Sequence, residues 1–247
     1  MKSLKPRLDC IEVAHRGALQ DLTLFVQAVH SSIDEHTSLL LQQSEELRKA
    51  ADAANHPPSL SVFAPKNFLG DAANSFQRAA TRMPVILFEM AFIYRISLYD
   101  AALSDLVRAV LLSRPEMLKS KKVFTTEQIL EQPDMEALVG VMADREVNEF
   151  SRQSVEGQAA WIEDHLGIAF IEEESKLASM VEFNARRNLL VHANGVVDQQ
   201  YRRLVKNPKF LLGERAVVDY NDWSACDVLM QHLIEGLMTS VRAKFAA

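Results

Sequence analysis

Apolar residues recur at helical spacing in the first quarter of the chain. They lie on one side of a helical wheel between residues 9 and 30, and again between residues 35 and 54. Ser32 and Asp34 lie between these runs and have side chains that commonly cap the start of a helix. The pattern predicts two helices within residues 9–55 that form a helical hairpin.

Three prolines interrupt the pattern between residues 56 and 66, and proline cannot donate the backbone hydrogen bond of a helix interior. Residues 56–83 are therefore interpreted as a connection that ends in a resumed helix. We expect the chain to divide here into an N-terminal helical extension, residues 1–83, and a C-terminal helical domain, residues 84–247.

The longest apolar run begins at Pro84 and continues to Arg114. Proline is tolerated in the first turn of a helix, so the run predicts one long central helix. The run is apolar around most of its circumference, which indicates burial on several sides. Its charged residues, which are candidates for ion pairs or functional groups, include Glu89, Arg95, Asp100, Asp105 and Arg108.

Shorter amphipathic runs follow, and a last long run begins near Asp219. The chain has only eight glycines and eight prolines among 247 residues, and both residue types are poor helix formers. No pair of alternating runs indicates a β-hairpin. The sequence therefore predicts an all-α fold, a helical bundle with an N-terminal helical extension.

Polar residues interrupt a helix that is otherwise suited to burial in the stretch NARRNLLVHANG. Asn184, Asn188 and His192 fall at every fourth position and form one polar stripe, in which Asn188 can orient the imidazole. Arg187 lies beside this stripe, about 140° around the helix axis from His192. A histidine changes charge near neutral pH and an arginine does not, so together they suit phosphate chemistry.

The Asn194–Gly195 pair predicts the end of this helix, because a helix C-cap often needs a left-handed residue. A plain helix end with one structurally satisfied histidine therefore explains the same residues. The spacing from Arg187 to His192 is too common to decide between a functional and a structural role.

The formal net charge of −6 argues mildly against binding of duplex nucleic acid, though not against a small basic site for one phosphate. Two distant cysteines favour a reducing compartment. The N-terminus lacks the apolar core of a signal peptide, and no apolar run reaches the ~20 residues of a membrane span. We therefore expect a cytoplasmic protein without membrane contact, and no histidine spacing predicts a metal site.

The segment RRNLLVHANGVVDQQY resembles HEPN domains, which are all-helical and have an Arg-x4-6-His motif. The sequence upstream of this segment shows the same resemblance. The likeness covers roughly Pro84 to Phe245, and the upstream part resembles the larger bacterial members, including those called RiboL-PSP-HEPN. It implies a metal-independent endoribonuclease without a cofactor, often a toxin or phage-defence effector. It also implies a homodimer in which two motifs form one cleft for RNA, and an antitoxin or regulatory protein as a second kind of partner.

The resemblance implies three catalytic residues. Arg187 would stabilise the phosphorane formed when the 2'-OH attacks the phosphodiester, His192 would transfer protons, and Asn188 would orient His192 or the phosphate. Three further residues are predicted to bind substrate, namely Arg186, Asn184 and Tyr201. For Arg186 the alternative is a side chain that only extends from the helix to solvent.

Two acids of the long helix, Asp100 and Asp105, are candidates to orient the motif side chains, and Asp105 is the preferred one. Internal ion pairs with arginines of the same helix are the alternative role. The basic patch Lys119–Lys122 is interpreted as a solvated loop or as the rim of an RNA site.

Two other classes of function fit the sequence. One is a non-catalytic HEPN module that binds a nucleotide or a partner protein, and the other is a purely structural helical adaptor. A positively charged cleft that His192 and Arg187 share across a two-fold axis favours the nuclease. Burial and internal pairing of His192 and Arg187 favour the adaptor.

Overall fold

A computed structural model describes residues 3–54, 68–118 and 124–246. Over these residues the chain forms eight α-helices, one 3-10 turn and no β-strand, which confirms the predicted all-α fold. The helices are α1 (Leu4–Ala54), α2 (Phe68–Ser113), α3 (Thr126–Leu130), α4 (Met135–Ser151), α5 (Val155–Leu166), α6 (Glu174–His192), α7 (Gln199–Leu204) and α8 (Tyr220–Phe245).

Helix α1 is continuous, so the hairpin predicted within residues 9–55 is wrong. The Ser32 hydroxyl donates to the carbonyl of Ala28, 2.9 Å away. This side chain therefore bonds back into its own helix instead of capping a new one. Residues 31–36 contain neither glycine nor proline, so no backbone break separates the two amphipathic runs.

Helix α2 begins at Phe68, so the prediction that a helix starts at Pro84 is wrong. Pro84 lies inside the helix, where it has no amide hydrogen for the carbonyl of Ala80. Residues 56–67 of the predicted connection lie outside the described residues, and residues 68–83 belong to α2. The division into residues 1–83 and 84–247 stays a prediction.

The chain forms two compact units. The first unit comprises Met1–Gln20, Phe92–Ala216 and Ser224–Ala247, and the second comprises Asp21–Ala91 and Val217–Trp223.

The second unit joins the later part of α1 to the first part of α2. The Ser44 hydroxyl of α1 donates to the carbonyl of Ala73 of α2, 3.0 Å away, and both residues are buried. The rings of His30 and Phe88 pack edge to face with their centroids 5.1 Å apart. A hydrogen bond and an aromatic contact thus hold the two helices together within this unit.

The first unit contains a buried ion pair that joins α2 to α8. Arg95 has no solvent-exposed area, and its Nε donates to Oδ1 of Asp227 at 2.6 Å, while Nη2 donates to the backbone carbonyl of Asp227 at 3.2 Å. Nearer the candidate site, the rings of Phe92 (α2) and Phe183 (α6) pack edge to face at 5.7 Å. Helix α6 therefore packs against α2 through its apolar face.

Candidate functional site

The motif helix α6 ends where the sequence predicts. Helix α6 stops at His192. In the turn that follows, Asn194 and Gly195 have left-handed backbone, with φ of 51° and 76°. The amide of Gly195 donates to the carbonyl of Leu189, 2.8 Å away. A side chain at Gly195 would meet Arg215 and Leu190 at 3.3 Å, so glycine suits this position by conformation and by space.

His192 and Asn188 are exposed on α6. Neither side chain makes a hydrogen bond to another residue in the described part of the chain, so the predicted bond from Asn188 to the imidazole is not formed. An exposed imidazole whose two nitrogens are free can exchange protons with a ligand. This observation opposes the structurally satisfied histidine that the sequence left open.

Arg187 is half-buried and held by two neighbours. Its Nη2 donates to Oδ1 of Asn184 at 3.2 Å and to Oδ2 of Asp100 at 3.4 Å. Its Nε is buried and makes no hydrogen bond to any described residue. The guanidinium is therefore fixed in position and retains an unused donor. Asn184, predicted to bind substrate, lies here as a support for Arg187.

Asp100, and not Asp105, is the acid of α2 that contacts the motif. Burial raises the pKa of Asp100, and the nearby charge of Arg187 lowers it in part. Asp105 is exposed, and its charge acts on Arg108, whose pKa is raised chiefly by a hydrogen bond to Asp144. Within one chain Asp100 therefore holds the position beside Arg187, and the role of Asp105 as the orienting acid stays a prediction.

Arg187 and His192 project from different sides of α6. Five residues separate them along the helix, which corresponds to about 140° around the axis. Arg187 projects towards Asp100 of α2, whereas His192 projects into solvent. The two side chains of one α6 helix therefore leave the helix in diverging directions.

Arg186 and Tyr201 lie in the core of the first unit, with 3% and 1% of their surface exposed. Arg186 Nε donates to Oε1 of Glu182 at 2.8 Å, and the Tyr201 hydroxyl donates to the same oxygen at 2.9 Å. The Arg186 guanidinium also lies 5.2 Å from the centre of the Phe210 ring. We assign both residues a structural role in place of the substrate contact implied by the resemblance, because neither side chain is accessible.

Arg215 is a candidate that the sequence did not single out. Its Nε donates to the carbonyl of Asn194 at 3.3 Å, two residues after His192. Residues 195–197 pair with residues 213–216 through backbone hydrogen bonds, including the Ala216 amide to the Gly195 carbonyl at 2.8 Å. Arg215 lies 21 residues from Asn194 along the chain, so only the folded loop brings a second guanidinium to this helix end.

Other predicted features of the site are less informative. The patch Lys119–Lys122 lies outside the described residues. Among residues 3–54, 68–118 and 124–246, no group of three or more His, Cys, Asp or Glu side chains could hold a metal ion. No described helix is long and apolar enough to cross a membrane.

Comparisons of the chain with protein-family models, with curated proteins and with solved structures find no match. The HEPN assignment therefore stays a prediction that rests on the motif residues and on the all-α fold.

Proposed function

We propose that the protein is a metal-independent endoribonuclease that cleaves RNA at a composite site formed by two copies of α6. The observation that carries the proposal is the exposed His192 at the end of α6, one turn after the exposed Asn188, on a helix whose Arg187 is held by Asp100. A proton-transfer group, a polar side chain and a fixed cation are the components that RNA transesterification uses.

The reaction needs a base and an acid in the same step. The base takes the proton of a ribose 2'-OH, O2' bonds to the adjacent phosphorus, and the bond from phosphorus to O5' breaks. The acid gives a proton to O5', which leaves a 2',3'-cyclic phosphate and a 5'-OH. One imidazole cannot perform both transfers at once, whereas His192 from each of two copies can divide them.

A dimer also accounts for the orientation of the two motif side chains. Within one helix Arg187 and His192 diverge by about 140°, so a single protomer leaves the imidazole without the motif cation beside it. A two-fold arrangement can direct Arg187 of one copy towards His192 of the other. An antitoxin or regulatory protein that covers this face would block the site, which fits a toxin or a phage-defence effector.

The test is incubation of the purified protein with single-stranded RNA in excess EDTA, followed by analysis of the product ends. We expect cleavage with 2',3'-cyclic phosphate ends, and no cleavage of a 2'-O-methyl version of the same oligonucleotide, which lacks the nucleophile. Cleavage of both substrates, or loss of cleavage when EDTA removes metals, would contradict the proposed mechanism.

One observation favours the second function, a non-catalytic module that binds a nucleotide or a partner. Arg187 already has an ionic partner inside the protomer, Asp100, so part of its charge is neutralised before any phosphate binds. For this function we expect binding of a nucleotide or partner protein with intact RNA under all conditions of the EDTA experiment.

A further inference from the structure

The segment after the motif has a charge opposite to that of the whole chain. Residues 199–215 contain five basic residues and a single acidic residue, Glu214, whereas the full chain has 27 basic and 33 acidic residues. The basic residues of the segment are Arg202, Arg203, Lys206, Lys209 and Arg215. Positive charge is thus concentrated next to the end of α6.

Two of these basic residues lie on the exposed side of helix α7. Tyr201 and Val205 pack into a cluster with Ala185 and Leu189 of α6, so the opposite side of α7 carries the arginines. Arg202 and Arg203 are exposed, and neither makes an ion pair or hydrogen bond through its side chain in the part of the chain that the structure describes. Both guanidinium groups can therefore bind an external anion.

Arg202 and Arg203 line an open groove with Gln199, Leu211 and Leu212. Leu211 and Leu212 are 61% and 58% exposed. A groove lined by two guanidinium groups and two exposed leucines suits a nucleic acid strand. The phosphates can pair with the arginines, and the bases and riboses can contact the leucines.

Backbone hydrogen bonds link the segment after α6 to the segment that follows the two leucines of the groove. The amide of Gly213 donates to the carbonyl of Val197, and the amide of Val197 donates to the carbonyl of Glu214, both at 2.9 Å. His192 lies about 60° around the α6 axis from Leu189, the residue that packs against α7. The residues that directly follow α6 are thus paired with the residues that directly follow Leu211 and Leu212 of the groove.

We propose that this groove, defined by Gln199, Arg202, Arg203, Leu211 and Leu212, binds the backbone of single-stranded RNA and leads it to His192. The proposal rests on the proposed nuclease function. It assigns substrate binding to Arg202 and Arg203, in place of the buried Arg186 and Tyr201. A single strand fits because its bases are free to contact Leu211 and Leu212, whereas a duplex keeps its bases stacked inside.

The test is fluorescence anisotropy with a labelled 2'-O-methyl single-stranded oligonucleotide, which binds but is not cleaved. We expect the double variant Arg202→Ala/Arg203→Ala to raise the Kd roughly tenfold or more and to reduce the slope of log K against log salt by about 1.4, the effect of two lost phosphate contacts. The matched control is Arg78→Ala/Arg82→Ala, an equal charge change at two exposed residues of α2. The control is expected to retain the wild-type Kd.

An equal Kd for the two double variants would overturn the groove assignment, and so would binding of a duplex as tight as that of the single strand. His192→Ala separates this proposal from the nuclease function, because it is expected to abolish cleavage and to keep binding. If wild type binds through the arginines but never cleaves, the nuclease fails and the groove stands. If His192→Ala stops cleavage while Arg202→Ala/Arg203→Ala binds and cleaves normally, the groove fails and the nuclease stands.

Discussion

Nη2 of Arg187 lies 3.4 Å from Oδ2 of Asp100, and this contact joins the motif helix α6 to the long helix α2. The contact holds the guanidinium of Arg187 in place through a residue that lies 87 positions away in the sequence. It also makes Asp100 a positioning residue, since its carboxylate acts through Arg187.

Asp100→Asn is expected to lower the RNA cleavage rate by roughly tenfold, because Arg187 loses its ionic partner and its fixed position. Asp105→Asn is the matched control, an equal change at an exposed residue of the same helix, and should keep the wild-type rate. Single-turnover cleavage assays compare the two. A loss confined to Asp105→Asn would reverse the assignment of the orienting acid.

Tyr201→Phe tests the structural role given to a residue that the resemblance implies in substrate binding. Removing the hydroxyl that donates to Glu182 is expected to lower the free energy of unfolding by about 1 kcal/mol and to leave the Kd for 2'-O-methyl RNA unchanged. Urea unfolding and anisotropy measure the two effects. Tyr94→Phe, at a tyrosine that is 53% exposed, should change neither quantity. A weaker Kd with unchanged stability would restore Tyr201 to the binding site.

Asp227→Ala is expected to destabilise the protein by about 3 kcal/mol, because it leaves the fully buried Arg95 without its carboxylate. The control is Asp144→Ala, which breaks a similar contact with Arg108 at the surface, where the side chains are 42% and 51% exposed. That change should cost less than about 1 kcal/mol. Denaturant unfolding measures the loss of unfolding free energy in each variant. Equal losses would show that burial does not determine how much the Arg95–Asp227 pair contributes to stability.

His15 makes stability depend on pH. Burial, together with the charge of Arg95, lowers the pKa of His15 to about 4, against the opposing charges of Glu235 and Asp227. Between about pH 6.5 and 4 the unfolded chain binds a proton at this residue and the folded protein does not, so acidification favours unfolding.

The predicted loss across this range is up to about 3 kcal/mol. It should be absent in His15→Gln, which does not titrate. The measurement is urea unfolding of both proteins at several pH values from 7 to 4. Parallel pH profiles for the two proteins would contradict the assignment to His15.

Local sequence signals predicted some elements of this fold and misled on others. The stop at Asn194–Gly195 was predictable because left-handed backbone has a strong residue preference. The continuity of α1 was not, because Ser32 can either cap a new helix or bond back to Ala28, and periodicity does not distinguish these cases. Pro84 was likewise misread as a start, although the helix continues through it.

The candidate site was likewise only partly predictable from the sequence. The sequence singled out Arg187, Asn188 and His192 because they lie within one turn or two of each other on a helix. Their partners depend on tertiary packing, which places Asp100 beside Arg187 and Arg215 beside Asn194. The burial of Arg186 could not be predicted from the sequence either, because an arginine of an amphipathic helix usually lies on the exposed side.

The role of His192 in proton transfer during RNA cleavage is tested by comparing His192→Ala with His232→Ala in single-turnover cleavage of RNA in excess EDTA. Both histidines are exposed residues of the first unit, so the two substitutions are matched in chemistry. We expect the cleavage rate to fall by roughly a hundredfold or more in His192→Ala and to stay at the wild-type value in His232→Ala. Equal rates for the two variants, with both folded, would contradict this role.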